Sequence, residues 1–448
     1  MLHEVRLPQV TLERLTDVVV LQTWLLFYAA SKTSLNSSDK SDCARKLDKC
    51  PRFVGRGAQI ADWIWNAEAR LKPLREFSQS TEVSPFAKKN CIQRLSRDIF
   101  GLLNGTRFNI SPFDGTDDWQ VAIADFFKYF YTGVLRETPK ISKIPFKISQ
   151  VTAGFPDYIF SDPLATRFGA QEFLRAFQKE NKTNLTICPA CDEAPYSISA
   201  GSVYVVLDDR KIEADIDHYL PKHLYPHLAC HPYNLVPTCL PCNQRKKKTE
   251  DPLRTNQAGT SRSRSLADIH KPYRDGGLGQ NTYLEIDLSN SFKEPIILSL
   301  QERNGHILQE AISVLGDVYG IPEGWQDTCD TQAELLFNDL YYLLDTHDSP
   351  FNSPEIIDWL DEYLYKLLTK WGREGYAILR TWLLVSYILE TIAVFDQSGN
   401  KIGTTPLLQE LEVLCGIQDT DSSSRLLSKS SIRQRIQDAR SWREQQIS

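Results

Sequence analysis

The sequence has no apolar run long enough to cross a bilayer. Its two longest apolar stretches are Val18 to Ala30, which is too short, and Tyr376 to Phe395, which carries Arg380 and Glu390 inside it. A spanning helix needs about 20 mostly apolar residues, so both stretches are expected to be buried helices and no membrane partner is expected. No signal peptide precedes the ten cysteines, and six of them (Cys43, Cys50, Cys91, Cys230, Cys329 and Cys415) are scattered along the chain. That pattern excludes a secreted disulfide framework and leads to the expectation of a reducing, cytoplasmic setting. Positive charge is in deficit too: 51 Lys and Arg stand against 57 Asp and Glu, a formal net charge of −6. Taken alone, that balance argues against a nucleic-acid partner. Wholesale disorder is excluded as well, because 42% hydrophobic and 24% charged residues is ordinary globular composition, and 448 residues allow two or three domains.

What is present is concentrated in one stretch. Two Cys-x-x-Cys knuckles, Cys188-Pro-Ala-Cys191 and Cys239-Leu-Pro-Cys242, bracket the run Asp215-Ile-Asp217-His218-Tyr-Leu-Pro221. Each pair can turn both sulfurs toward one ion, and two pairs complete the tetrahedral thiolate set of a closed, structural zinc site. The 47 residues between Cys191 and Cys239 exceed the spacing of an ordinary zinc ribbon, and Asp217, His218 and Asn234 lie in that extra length. From Cys242 to Arg274 nine basic residues face three acidic ones, a local balance of +6 on an acidic chain. A basic patch in this position points to phosphate.

Periodicity divides the rest. Residues 1–150 read as a helical domain, with helical spacing over Thr11 to Ser31, Ala58 to Phe77, Pro85 to Leu103 and Asp117 to Leu135, and a proline- and lysine-rich linker over Thr138 to Lys147. Residues 151–184 are a linker and a lead-in helix over Leu164 to Lys182. Residues 185–290 form the cysteine-framed module, in which Ser202 to Leu207 and Ile212 to Ile216 are expected to pair as a hairpin ending at Asp217-His218. Cys239 to Lys248 starts a short helix, a polar linker runs from Asp251 to Ala267, and Tyr283 to Leu288 reads as a strand. Residues 291–448 read as a second helical domain with a flexible tail from about Asp419. Its helices cover Glu294 to Tyr319, broken near Asn304-Gly305, then Thr331 to Asp345, and a segment opened by the cap Ser353-Pro354-Glu355.

Asp217-His218, Asn234 after fifteen intervening residues and Asn243 after eight more, inside a Cys-x-x-Cys frame, resemble the HNH (ββα-metal) nuclease family. The string from Asp217 through Pro221-Lys222, Tyr225-Pro226, His231-Pro-Tyr-Asn234, Cys239 and Cys242-Asn243 to Lys246-Lys247 is similar to its zinc-framed branch, and His270-Lys-Pro-Tyr-Arg-Asp275 is similar to a run found downstream in that branch. The resemblance covers about residues 185 to 290. It implies a ββα-metal HNH module with a structural zinc site, which the periodicity of the flanks embeds between helical N- and C-terminal domains in a mostly α protein. It also implies His218 as general base, Asp217 and Asn243 as ligands of a catalytic divalent cation, and Asn234 as the residue that aims His218. The chemistry agrees: in-line attack of water on a phosphodiester requires a base and a cation. Hard oxygen ligands favour Mg²⁺ or Mn²⁺, and an imidazole takes a proton near neutral pH. Lys246, Lys247 and Lys248 are placed to hold phosphates, His231 is the best loop histidine for a substrate contact, and His270, Tyr273 and Asp275 are expected to close the module.

The expected activity is metal-dependent hydrolysis of phosphodiester bonds, in DNA first. The rival class is a non-catalytic zinc-stabilised module that binds nucleic acid or protein. Within the enzyme class, a mobile-element or homing nuclease competes with a bacterial anti-phage defence nuclease controlled by a partner protein or by self-assembly. No separate DNA-reading element is visible in the sequence, and large acidic helical flanks suit protein contact or autoinhibition, which favours the defence reading.

Overall fold

A computed structural model of the chain describes residues 2–136 apart from 107, 108 and 114, residues 154–192 apart from 163–166 and 183–184, and residues 204–278 apart from 208–209 and 255–262. Further on it describes 282–287, 297–302, 307–321, parts of 324–339, 362–389 apart from 372, 391–395 and 401–406. Among these residues helix predominates, beside one three-stranded and two two-stranded sheets, all antiparallel. No described helix is long and apolar enough to cross a membrane. The expected linker at Thr138 to Lys147, the cap at Ser353 and the tail from Asp419 lie outside the described residues, as does nearly all of Thr331 to Asp345 beyond its start. The chain divides into two compact units: Arg6–Glu180 with Tyr196–Asp275, and Met1–Val5 with Asn181–Pro195 and Gly276–Ser448.

The first unit is built on α1 (Gln9–Ala30), α2 (Asp39–Leu47), α3 (Gly57–Trp65), α4 (Glu68–Gln79), α5 (Pro85–Asn104), α6 (Asp118–Tyr129) and α7 (Ala170–Asn181). In α1, Leu15, Val18, Val19, Leu21, Leu25 and Leu26 are all within 1% of full burial. An apolar surface on more than one side marks a helix packed within a core. Its one buried carboxylate, Asp17, is paired with Arg52 and accepts from the Ser161 N–H at 2.8 Å and hydroxyl at 3.0 Å, so the charge is not left alone. The stretch Ala58 to Phe77 is two helices instead of one. The backbone turns extended at Ala67 (φ −136°, ψ 115°), and Arg70 Nε donates to the Trp63 carbonyl at 2.8 Å, satisfying an acceptor the break exposes. Gly57 is required where α3 meets α2, since a Cβ there would lie 2.1 Å from the Ala44 carbonyl oxygen.

α5 follows local chemistry at both ends. The Ser84 hydroxyl accepts from the Ala87 N–H at 3.2 Å and Pro85 follows it, while Gly105 (φ 68°) ends the helix in a left-handed turn closed by Thr106 N–H to the Gly101 carbonyl at 2.8 Å. Residues from the cysteine-framed stretch finish that end: Arg274 Nη2 donates to the carbonyls of Leu102 (2.9 Å) and Leu103 (2.5 Å), and His231 Nε2 to that of Ile99 (3.1 Å). The cationic donor Arg274 suits the negative end of the helix dipole. α6 does not continue regularly to Leu135. It widens into a π-helical turn, Phe130–Leu135, closed by Arg136 N–H to the Tyr131 carbonyl at 2.8 Å.

The sheet of the first unit runs β1 (Tyr204–Leu207), β2 (Arg210–His218) and β3 (Leu235–Cys239), in that spatial order. The hairpin ending at Asp217-His218 is present; β3, with Pro237 inside it, pairs Ala214 with Cys239, Asp217 with Val236 and His218 with Leu235. After β3 the chain enters a second π-helical segment, Pro241–Lys247.

In the second unit, β4 (Thr282–Asp287) pairs with β5 (Ile297–Glu302), so the helix expected over Glu294 to Tyr319 is a strand over Ile297–Glu302 and a helix, α8, over Ile307–Tyr319. A short Ile-Ile-Leu-Ser-Leu run fits either period, and pairing with β4 decides it. Likewise α9 (Ala377–Leu389) stops short of Phe395, and Thr391–Phe395 is strand β6, paired with β7 (Lys401–Pro406). At the centre of this unit Asp192, fully buried and at φ 61°, joins three segments. Its carboxylate takes His3 Nε2 at 2.6 Å and the Ile378 N–H at 3.0 Å, and its carbonyl takes the Tyr376 N–H at 2.6 Å.

Candidate functional site

The sulfurs of Cys188, Cys191, Cys239 and Cys242 all lie within 4.8 Å of one another, and all four residues are buried. Zinc–sulfur bonds of about 2.3 Å in a tetrahedron put sulfurs roughly 3.8 Å apart, so the set is close enough to hold one metal ion such as zinc with little adjustment. Local structure prepares it. Cys188 to Cys191 forms a turn closed by Asp192 N–H to the Cys188 carbonyl at 3.2 Å, and Trp325 Nε1 donates to the Cys191 carbonyl at 2.8 Å. Cys239 ends β3 and Cys242 lies in the first turn of the π-helical segment that follows. Cys230 is buried outside this set, and burial pushes its thiol well above the ordinary range.

Alternation along β2 puts Asp215 and Asp217 on one face and Ile216 and His218 on the other. Asp217, 1% exposed, forms an ion pair with Lys247 Nζ at 3.0 Å, and the same ammonium donates to the His218 carbonyl at 2.5 Å. Asn243 donates through Nδ2 to Asp215 Oδ2 at 2.7 Å. The other oxygen of Asp215 accepts from Arg136 Nη1 at 2.5 Å and from the Ile216 N–H at 2.9 Å. The structure thus pairs Asp217 with Lys247 and Asn243 with Asp215, and brings in two residues that the sequence reading did not select, Asp215 and Arg136. Asp215 was legible: on a strand, the residue two before Asp217 shares its face. Arg136, 79 positions away, left no local signal.

His218 is 7% exposed, its Nε2 lies 3.1 Å from the Ala229 carbonyl oxygen, and its ring meets Tyr131 edge to face at 4.1 Å between centroids. A carbonyl only accepts, so Nε2 carries the proton and Nδ1 holds the basic lone pair. Burial above all, with Lys222 and Lys247 adding positive charge nearby, holds the imidazole well below its ordinary pKa and therefore neutral at pH 7. Asn234 clamps the loop that follows. Its Nδ2 donates to the carbonyls of Leu220 and Leu228, both at 3.0 Å; its Oδ1 accepts from the Leu220 N–H at 2.6 Å; and its own carbonyl accepts from Tyr219 at 2.8 Å. Every polar atom of that side chain is spent on fixing the strand end that carries His218.

The remaining expected contacts are distributed differently. His231 is fully buried, bonded to Ile99 and accepting from the Tyr233 N–H at 3.2 Å, so in this arrangement it supports α5 instead of facing a substrate. Lys247 is buried in its pairing with Asp217; Lys246 is half-buried, and Lys248 and Arg245 are exposed. Tyr273 donates to the Leu235 carbonyl at 2.6 Å, and Asp275 accepts from the Lys271 N–H at 2.8 Å and pairs with its ammonium at 3.0 Å, which ties this run to β3 and to itself; His270 is buried. Of the other loop histidines, His223 is exposed and His227 is fully buried. No family model, no curated protein and no solved structure matches this chain.

Proposed function

We propose that the chain is an HNH-type, metal-dependent endonuclease, its ββα-metal module formed by β2, β3 and the π-helical segment Pro241–Lys247. One observation carries the reading above the others: Asn234 clamps the strand end that carries His218, the imidazole is fixed through Nε2, and the same strand carries Asp217 and Asp215, the latter bonded to Asn243. The cluster fits a hard divalent cation, because its two carboxylates already draw two cationic side chains, Arg136 at 2.5 Å and Lys247 at 3.0 Å.

In this reading Nδ1 of His218 takes the proton from the attacking water while Nε2–H stays on the Ala229 carbonyl, so the ring does not turn as it charges. Asp217 and Asn243 would hold the cation, and Asp215 accepts from the Asn243 amide at 2.7 Å. A bound Mg²⁺ or Mn²⁺ supplies positive charge to the phosphorane-like transition state and to the leaving oxygen. The four cysteines hold a structural zinc that fixes the entry to β3 and the π-helical segment. DNA is the first substrate to test, and the acidic helical flanks favour a partner-controlled nuclease, of the anti-phage defence kind, over a homing enzyme. The non-catalytic reading has one observation in its favour, the nearly complete burial of His218.

The test is cleavage of supercoiled plasmid, single-stranded DNA and RNA with Mg²⁺ or Mn²⁺. Removal of a positioned general base costs typically 10²- to 10⁴-fold in rate, so His218→Ala is expected to lose at least about 100-fold. Equal cutting by His218→Ala, or no cutting of any substrate in either metal by wild type and by Arg136→Ala alike, refutes the catalytic reading.

A further inference from the structure

The side chains that would bind a cation are not waiting in solvent; they are held by cations belonging to the chain itself, Asp215 by Arg136 and Asp217 by Lys247. Arg136, at the end of the π-helical turn after α6, places Nη1 2.5 Å from Asp215 Oδ1. Beside it the Tyr131 hydroxyl donates to the Ile216 carbonyl at 3.3 Å, and the Tyr131 ring lies across the His218 imidazole. Lys222 Nζ lies over the Tyr131 ring, 4.9 Å from its centroid. One turn of the helical domain therefore meets both halves of the proposed machinery, the carboxylate with Arg136 and the base with Tyr131.

We propose that this turn is a built-in plug: the Arg136 guanidinium occupies the cation position at Asp215 and excludes a divalent ion until the turn is withdrawn. Three features argue for displacement over permanent scaffolding. The Arg136 side chain is 37% exposed whereas that of Asp215 is 10% exposed, so the guanidinium approaches from the solvent side and can leave without opening the core. A pair with its guanidinium more than a third exposed is partly screened by salt, and a divalent ion competes with it at twice the charge. Asn243 also points its amide N–H at Asp215, the orientation that suits a carboxylate with no metal; a shared cation requires the amide to turn over and present Oδ1. The turn itself is π-helical, a geometry that puts Tyr131 and Arg136 five residues apart across one hydrogen bond and is less stable than a regular helix.

This rests on the cluster being a cation site, and not on cleavage of any nucleic acid. The experiment is a Mn²⁺ titration of the zinc-loaded full chain, followed by the electron paramagnetic resonance of free Mn²⁺, for wild type, Arg136→Ala, Arg136→Gln, Arg136→Lys and the double variant Arg136→Ala with Asp215→Asn. Removing one unit charge from a contact this short is expected to tighten Mn²⁺ binding about tenfold or more in Arg136→Ala and Arg136→Gln. Arg136→Lys is expected to stay near wild type, and the double variant to lose the gain. Arg136→Gln keeps a hydrogen-bonding side chain of similar reach, so it reports even where Arg136→Ala fails to fold. Mn²⁺ affinity unchanged or weakened in the folded variants overturns the plug. Tightened Mn²⁺ binding with no cleavage of DNA or RNA would leave the plug standing and remove the nuclease.

Discussion

In the proposed mechanism His218 would work through the difference between its two nitrogens. Nε2 is committed to a carbonyl, so the proton can be taken only at Nδ1, and the environment that holds the ring neutral also limits how far water reaches it. His227 and His231 are buried as well. Both are fully buried, and burial, first among the causes, lowers each to a pKa of about 3. The consequence for stability has a definite sign. In the folded chain these rings stay neutral down to about pH 3, while unfolded histidines take up a proton below about 6.5. Their contribution is therefore complete above about pH 6.5 and is lost as the pH falls toward 3, at up to about 1.4 kcal/mol per pH unit per histidine. His227 is the cleaner probe, since neither of its ring nitrogens has a hydrogen-bond partner and Asp98 Oδ2 stands 3.7 Å away. Urea midpoints of wild type and His227→Phe, compared from pH 7.5 to 4.5, are expected to converge or cross as the pH falls; a constant difference across that range would show that His227 is not held neutral.

At the scale of elements, the two π-helical segments do the positioning. Phe130–Leu135 delivers Tyr131 and Arg136, and Pro241–Lys247 delivers Asn243 and Lys247, to the same face of β2 or its end. The four thiolates set where the second segment begins. Cys239→Ser is accordingly expected to lower bound zinc from one equivalent toward none and to release β3 and the segment after it, seen as lost amide-exchange protection over residues 235–247. Full zinc content and unchanged exchange in that variant would remove the structural role of the cluster. Elements with local signals were legible from sequence: the Ser84-Pro85 start and Gly105 stop of α5, the hairpin to His218, and the cysteine pairs. Those set by pairing or packing with distant residues were not. β5 carries an apolar run compatible with helix, the widening at Phe130 follows an unbroken aromatic periodicity, and the bond from Arg136 to Asp215 crosses 79 positions.

For the molecule as a whole, charge is the feature that the structure reshapes most. The basic stretch after Cys242 looks in sequence like a phosphate-binding face of nine cations. Folding commits most of them to the protein. Lys247 pairs with Asp217, Arg254 with Asp251, Lys271 with Asp275, Arg264 is buried with its guanidinium on the carbonyls of Pro252 and Arg254, and Arg274 caps α5. Arg245 and Lys248 are the exposed cations nearest Asn243. Each phosphate contact contributes about −0.9 to the slope of log K against log salt for duplex DNA, so a slope of only about −2 is expected, far shallower than nine contacts would give. Nucleic-acid affinity measured by fluorescence anisotropy between 50 and 300 mM salt checks this, and a slope steeper than about −5 would show that the committed cations are released on binding.

The most direct measurement of the central claim is plasmid and single-stranded DNA cleavage in Mn²⁺ by Arg136→Ala, with and without His218→Ala, at saturating metal. Cutting by Arg136→Ala that falls at least about 100-fold when His218→Ala is added is the expected result. Equal cutting by the two folded proteins, or none by either despite bound Mn²⁺, would contradict the assignment of His218 as the general base of a nuclease.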